Sequence, residues 1–400
     1  GDYQNALFME AARVLKIKHP GDVLFVMVSY LPIPSKIGEM KTRPTQHAVQ
    51  TLNSYGVQTD IIIARAEAPL DRKRKEKIAI ASNVLPEDVI SAPDVENIYD
   101  VPLNFERDNL GEIILRKLSL FPRKTRGMSA WRAFMARAAE AKEEVAIAIV
   151  GKYFDTGDFV LSDAYLSVIE AIKCAAWKLG RQPRIYWLNA KDFEHGGKGV
   201  SGLTQFQGII VPGGFGESGV EGKIEAIRYA RENKIPYFGL CYGMQLALVE
   251  YARHVVGLDG AHTTEIAPES PHPVIDVLPE QKKLLAEGRY GGTMRLGAYP
   301  ALLSRGTIAR EAYRASEISE RHRHRYEVNP AYVERFETAG IIFSGRSPDS
   351  TLMEIAELPR LSHPFFLGTQ FHPELQSRPL RPHPLFVAFI KAAMGGGPEG

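Results

Sequence analysis

Residues 235–244 read Ile235-Pro236-Tyr237-Phe238-Gly239-Leu240-Cys241-Tyr242-Gly243-Met244, and their reading decides the fold. The first six are mostly apolar with no helical spacing, as a strand covered on both faces requires. Gly239 and Gly243 flank Cys241 and let the chain turn sharply there. A helix is expected to start near Met244. A strand turning through one residue into a helix is a nucleophile elbow, here with sulfur in place of a hydroxyl. The N-terminus of the following helix favours an anion on that sulfur. The competing reading of Cys241 is a buried structural cysteine.

A thiolate nucleophile needs a base, and the base an orienting partner. Phe371-His372-Pro373-Glu374 supplies both at the end of an expected strand, 365–371. Residues i and i+2 share one side of an extended chain, so Glu374 would hold the proton-accepting tautomer of His372. A third part is Pro212-Gly213-Gly214-Phe215-Gly216, after an expected strand at 208–211. Such a loop aims backbone N–H groups at a developing oxyanion, with Gly214 and Tyr242 as the donors. A phosphate loop is the competing reading, but no Gly-Lys-Ser/Thr follows. Strands at 145–150 and 340–343 and helices at 163–179 and 222–233 complete an α/β unit that opens at Val145.

Upstream the alternation is similar. A helix is expected over 5–17, a buried parallel strand over 23–30 and a helix over 45–55 ending at Gly56. A strand over 60–64 and a basic amphipathic helix over 71–82 follow. Residues 118–144 read as a linker with a lead-in helix, and residues 395–400 as a frayed tail. Lys plus Arg is 49 and Asp plus Glu 47, so the net charge is +2. That balance weighs against a dedicated nucleic-acid binder and against a polybasic membrane protein. No apolar run is long enough to span a bilayer. The two cysteines, Cys174 and Cys241, fit a reducing cytosol and make no disulfide framework. The run Arg321-His322-Arg323-His324-Arg325 reads by itself as a basic surface patch. Its two histidines have no cysteine or acidic pair beside them for a metal. The start, Gly1-Asp2-Tyr3, is not a signal peptide and reads as though partway through a protein.

Pro-Gly-Gly-Phe-Gly, Gly-Leu-Cys-Tyr-Gly-Met-Gln and Gln-Phe-His-Pro-Glu together resemble class I glutamine amidotransferases. Three further segments resemble the CTP synthase family: Lys41-Thr42-Arg43-Pro44-Thr45-Gln46-His47, Gly291-Gly292-Thr293-Met294-Arg295-Leu296-Gly297 and Glu320-Arg321-His322-Arg323-His324-Arg325-Tyr326-Glu327-Val328-Asn329. The resemblance implies an α/β protein: a partial P-loop-like synthetase domain with a parallel sheet at 1–117, the linker at 118–144, and a flavodoxin-like class I amidotransferase domain at 145–394. It implies amination of UTP to CTP, with ATP phosphorylating the uracil O4 and ammonia from glutamine displacing that phosphate.

Residue by residue, the resemblance makes Cys241, His372 and Glu374 the glutamine-hydrolysing triad. Gly214, Tyr242, Gly243, Met244, Gln245, Glu265 and Arg325 would hold L-glutamine. Asp2, Tyr3, Gln4, Lys41, Thr42, Arg43, Pro44, Thr45, Gln46 and Lys77 match UTP and CTP positions, and Arg65, Pro93, Asp94 and Val95 match ATP positions. The resemblance further implies Mg2+ with ATP, its ligands in a segment upstream of Gly1, and GTP as activator through the loop at 291–297. CTP as inhibitor, a homotetramer and a cytoplasmic location complete what it implies. Arg43 stands where the family often has Lys, and both neutralise phosphate. Gln4 lacks the usual acid and Ala81 the usual aromatic ring, so weaker CTP inhibition is expected. Without the upstream segment, glutaminase activity but no CTP formation is expected. The alternatives are a stand-alone glutaminase or γ-glutamyl hydrolase, against which the segment 41–46 counts, and a non-enzymatic assembly module, against which the intact Cys-His-Glu set counts.

Overall fold

The computed structural model describes residues 3–36, 38–122, 127–152, 155–156, 159–160, 165–194, 199–277 and 294–395. Two compact units emerge, Gly1–Met135 and Ala136–Gly400. The first holds a parallel sheet in the order β1 (Val26–Tyr30), β2 (Ile61–Ala66), β3 (Val89–Pro93). Helices Arg43–Ser54 and Arg72–Ser82 make the crossovers. Asp71 caps the second by accepting the Arg74 N–H at 2.7 Å, which satisfies one of the helix's orphan donors. Ile61, Ile62 and Ala64 of β2 are fully buried. Strand β1 departs from the expected buried strand, because Val26, Val28 and Tyr30 are exposed. Among the described residues it pairs with β2. A continuous apolar run does not reveal which face is covered.

The second unit opens with β4 (Glu144–Gly151), followed by a short antiparallel pair, β5 (Asp155–Thr156) and β6 (Phe159–Val160). Then come β7 (Gln182–Asn189), β8 (Gly208–Val211), β9 (Tyr237–Leu240), β10 (Ala261–Thr263) and β11 (His272–Val277). The last strands are β12 (Arg295–Leu303), β13 (Glu317–His324), β14 (Tyr326–Val328), β15 (Ile342–Arg346), β16 (Met353–Glu357) and β17 (Phe366–Thr369). Nine of them form one sheet, ordered β13-β12-β15-β16-β17-β9-β8-β4-β7. From β17 to β7 the pairings are parallel; from β17 to β13 they are antiparallel.

Alternation along the parallel strands feeds two cores. Ala148, Val150, Ile209, Val211 and Tyr237 pack with helices Val220–Glu232 and Tyr242–Tyr251 on one face. Ile147, Ile149, Ile210, Phe238 and Leu240 pack with helices Leu166–Lys178 and Pro384–Ala393 on the other.

The helices expected from 222 and near 244 begin earlier, at Val220 and Tyr242. Residues 118–144 contain the helix Ser129–Glu140, and β4 starts at Glu144. In the antiparallel half the strand expected at 340–343 overlaps β15, while β12, β13 and β16 were not marked by the sequence. Strand β13 alternates exposed and buried, so Arg321 and Arg323 face solvent while His322 and His324 point inward. The stretch expected to be a basic surface patch is therefore a strand whose inward side is polar and buried.

Candidate active site

Three neighbouring parallel strands, β8, β9 and β17, end on one edge of the sheet. Their last rungs pair Val211 with Gly239 and Leu240 with Thr369. The loop at Pro212, the thiol of Cys241 and the chain leading to His372 are thus released side by side at the carboxyl edge, where open α/β sheets place their sites. Cys241 takes φ +51° and ψ −97°, a strained conformation for a residue with a Cβ. Its N–H donates to Thr369 O at 2.6 Å, and its carbonyl accepts from Gln245 N–H at 3.2 Å. The helix starts at once, and Gly243 makes that possible: a Cβ there would lie 2.1 Å from Val211 O.

His372 Nδ1 and Glu374 Oε1 are 2.7 Å apart. The intervening chain is not extended: Pro373–Gln376 is a 3-10 turn with His372 at its cap, and the pair closes across it. The Cys241 side chain and the imidazole both lie against Gly213. Burial would lower the His372 pKa, but interaction with the Cys241 sulfur and then with Glu374 outweighs it and raises it to about 10. An imidazolium is therefore favoured at neutral pH, ready to protonate a leaving amine. Gly213 lies against both groups: a Cβ on it would sit 2.7 Å from His372 Cε1 and 3.7 Å from Cys241 Cβ.

The glutamine-binding candidates surround this corner. Tyr242 is the first helical residue, so its N–H has no intrahelical acceptor. Gly214 lies beside the Tyr242 ring, 3.8 Å from Cδ1 to a built Cβ. Glu265 Oε1 accepts the Gly216 N–H at 3.0 Å. Burial raises the Glu265 pKa, opposed by that hydrogen bond and by the charges of Lys152 and Arg325. Glu265 and Arg325 thus sense each other, an acid and a base suited to the two charged ends of an amino acid. Met244 is fully buried. Gln245 is also buried, donating to Tyr326 O at 2.9 Å and to Gln370 Oε1 at 3.2 Å.

Several neighbours were not singled out from the sequence. Gln370 donates to Cys241 Sγ at 3.7 Å; it lies inside the Gln-Phe-His-Pro-Glu motif, so a signal was available. Behind His372, Arg295 bridges Glu327 Oε1 at 3.1 Å and Glu354 Oε1 at 2.9 Å. His322 Nδ1 meets His324 Nε2 at 2.9 Å. Burial first, then the charges of Arg295 and His372, pull the His322 pKa down to about 3. Burial pushes Glu327 up to about 8. Arg321 O accepts the His372 N–H at 2.8 Å, so this strand also backs the base.

In the first unit, Arg65 and residues 93–95 lie at the carboxyl ends of β2 and β3, residues 41–46 follow β1, and Lys77 lies within the helix Arg72–Ser82. Arg43 and Pro44 open the helix Arg43–Ser54. Thr42 and Thr45 are buried; Thr45 Oγ1 meets Ser29 Oγ at 2.8 Å and Gln46 Nε2 donates to Thr42 Oγ1 at 3.3 Å. Lys41 Nζ lies 2.7 Å from Glu39 Oε2. Lys41 above all, with Arg74 and the exposed Lys77, holds the Glu39 carboxyl below its usual range. Arg65 and Asp94, both exposed, approach to 3.5 Å, and Pro93 ends β3 just before Asp94 and Val95. Gln4 is exposed; Asp2, the Tyr3 side chain and residues 291–293 lie outside the described residues. Among the described residues no three His, Cys, Asp or Glu side chains are grouped as a metal cluster. No helix among them is long and apolar enough to cross a membrane.

A thiol at a strand–helix corner, with its base delivered by the adjacent parallel strand, defines the class I glutamine amidotransferase arrangement. The family described as "Glutamine amidotransferase class-I" indeed matches residues 160–392. The glutaminase domain of a Trypanosoma brucei CTPS, solved with bound acivicin, superposes with a TM-score of 0.58 at 36% identity, covering 64% of this chain and 96% of that one. The family "CTP synthase N-terminus" matches residues 1–120. The CTP synthase of Thermococcus kodakarensis is 49% identical over 395 residues, 98% of this chain and 72% of that protein. That of Methanopyrus kandleri is 48% identical over 402 residues, 100% of this chain and 73% of that protein. The chain belongs to the CTP synthase family, the glutamine-hydrolysing carbon–nitrogen ligases of pyrimidine nucleotide synthesis.

Proposed function

We propose that Cys241, His372 and Glu374 hydrolyse L-glutamine and that the ammonia serves the ATP-dependent amination of UTP to CTP. The thiolate of Cys241 attacks the side-chain amide carbon. The oxyanion takes hydrogen bonds from the N–H groups of Gly214 and Tyr242. His372, oriented by Glu374, gives its proton to the departing ammonia, leaving a γ-glutamyl thioester. Neutral His372 then takes a proton from water as it attacks the thioester, releasing glutamate and restoring the pair. Glu265 faces the substrate ammonium and Arg325 its carboxylate, with Gly243, Met244 and Gln245 shaping the pocket.

The observation that carries this reading is the delivery of the three groups by β9 and β17 to one edge of the sheet, with His372 held between Cys241 and Glu374. In the first unit, Asp2, Tyr3, Gln4, Lys41–Gln46 and Lys77 are assigned to the pyrimidine nucleotide, and Arg65 and 93–95 to ATP. The domain limits are taken as 1–117, 118–144 and 145–394. GTP as activator, CTP as inhibitor, a homotetramer and a cytoplasmic location complete the reading. The test is Cys241→Ser: glutamate release should disappear while the fold persists. Undiminished glutaminase activity in that variant rejects the triad.

A further inference from the structure

Gln370 is fully buried, one residue beyond the end of β17, and its side chain is aimed at the reacting sulfur. The direction of its amide follows from hydrogen-bond inventory. Tyr326 O is a carbonyl and can only accept, so the group of Gln245 that lies 2.9 Å from it must be the NH2. The same NH2 lies 3.2 Å from Gln370, which must therefore present its oxygen to Gln245. That leaves the Gln370 NH2 facing Cys241 Sγ at 3.7 Å, within reach of a hydrogen bond to sulfur. The Gln370 N–H is itself anchored on Glu354 O at 2.9 Å, and Thr369 O holds the Cys241 N–H at 2.6 Å. Neither glutamine can flip without placing two donors or two acceptors face to face.

We propose that Gln370 is a catalytic residue: its amide, locked in orientation by Gln245, donates a hydrogen bond to the Cys241 sulfur and stabilises it as a thiolate before glutamine arrives. The proposal rests on Cys241 being the nucleophile. Its chemical sense is that a donor gains strength when the acceptor carries charge, so the bond favours the anion over the thiol. It also fixes the direction of the sulfur lone pair, leaving the His372 ring to manage the proton.

The experiment is the pH dependence of Cys241 alkylation by iodoacetamide, a neutral electrophile, with the modified peptide assigned by mass spectrometry in the whole chain. Gln370→Met removes the donor at similar volume. Gln370→Glu keeps the shape and an oxygen for Gln245 but puts a carboxyl beside the sulfur. Relative to wild type, the midpoint should move up by about one unit in Gln370→Met, with about a tenfold slower reaction at pH 7. It should move further in Gln370→Glu, where two acidic groups compete for one proton. A merely structural role predicts the opposite order, with the isosteric Glu variant the least perturbed. Near-UV circular dichroism checks each fold, and if Gln370→Met does not fold, the Gln370→Glu profile decides. Profiles superimposable on wild type overturn the proposal, as does failure of both variants to fold, which would make the amide structural. If the wild-type chain itself is not alkylated at Cys241, the triad reading fails instead.

Discussion

Gly213→Ala tests the geometry of the base at its most crowded point. The added methyl would sit 2.7 Å from His372 Cε1, against roughly 3.5–4.0 Å for an ordinary carbon–carbon contact, so about 1 Å must be found. The backbone does not object, because Gly213 is not among the positive-φ glycines. The Cys241 Cβ, 3.7 Å away, is already at contact distance and need not move. The burden falls on the imidazole, which makes two contacts, a hydrogen bond with Glu374 at 2.7 Å and an approach to the Cys241 sulfur. Retreating from the methyl lengthens at least one of them. A displacement of about 1 Å in a catalytic group costs roughly 100-fold in rate, or about 2.7 kcal/mol of transition-state stabilisation. Glutamate release should show that loss in kcat, with the KM for glutamine little changed and urea unfolding within about 1 kcal/mol of wild type. A folded Gly213→Ala chain turning over glutamine within about threefold of wild type would refute the claim that the loop and the ring are in tight contact.

Two stability predictions follow from buried charge. Lys223 is almost completely buried over the Tyr242 ring, and burial first, then Lys152, lowers its pKa from 10.5 to about 8. Between those values the folded chain binds fewer protons than the unfolded one, so stability rises with pH across that window and is least below it. Lys223→Met should raise stability at pH 7 by up to about 3 kcal/mol and flatten the slope, read by urea denaturation at pH 7 and 9.5; an unchanged slope contradicts it. Arg295→Met strands the buried carboxylates of Glu327 and Glu354 and should destabilise by about 3–5 kcal/mol, increasingly as pH rises through the range where they ionise. Adding Glu327→Gln and Glu354→Gln should recover most of that loss. If it does not, Arg295 acts by packing rather than by charge.

The proposed triad is read from three short motifs because each carries local chemistry. Gly239 and Gly243 bracket the nucleophile, Pro373 and Glu374 follow the histidine within one turn, and the loop glycines admit the ring of His372. Four of the five strands of the parallel half were legible because strands covered on both faces, such as 145–150 or 208–211, must be apolar throughout; the partly exposed edge strand β7 was not. Gln370 was passed over although it stands in a quoted motif, because an amide has no intrinsic reactivity to mark it. Only the position of Gln245 gives its orientation a consequence.

Local spacing by itself determined that a strand, a cysteine and a helix meet at Cys241, since glycine, β-rich and helical patterns act over a few residues. Tertiary structure alone decided what lies around that corner. The pairing of β9 with β17 brings His372 to the sulfur across more than a hundred residues, and no local pattern encodes a strand's neighbour. It also turned the inward side of β13 into a buried polar wall, where His322 meets His324 and Arg295 from β12 bridges Glu327 and Glu354. Polar residues read as surface in one dimension because the desolvation of each is compensated only by partners that folding brings from elsewhere in the chain.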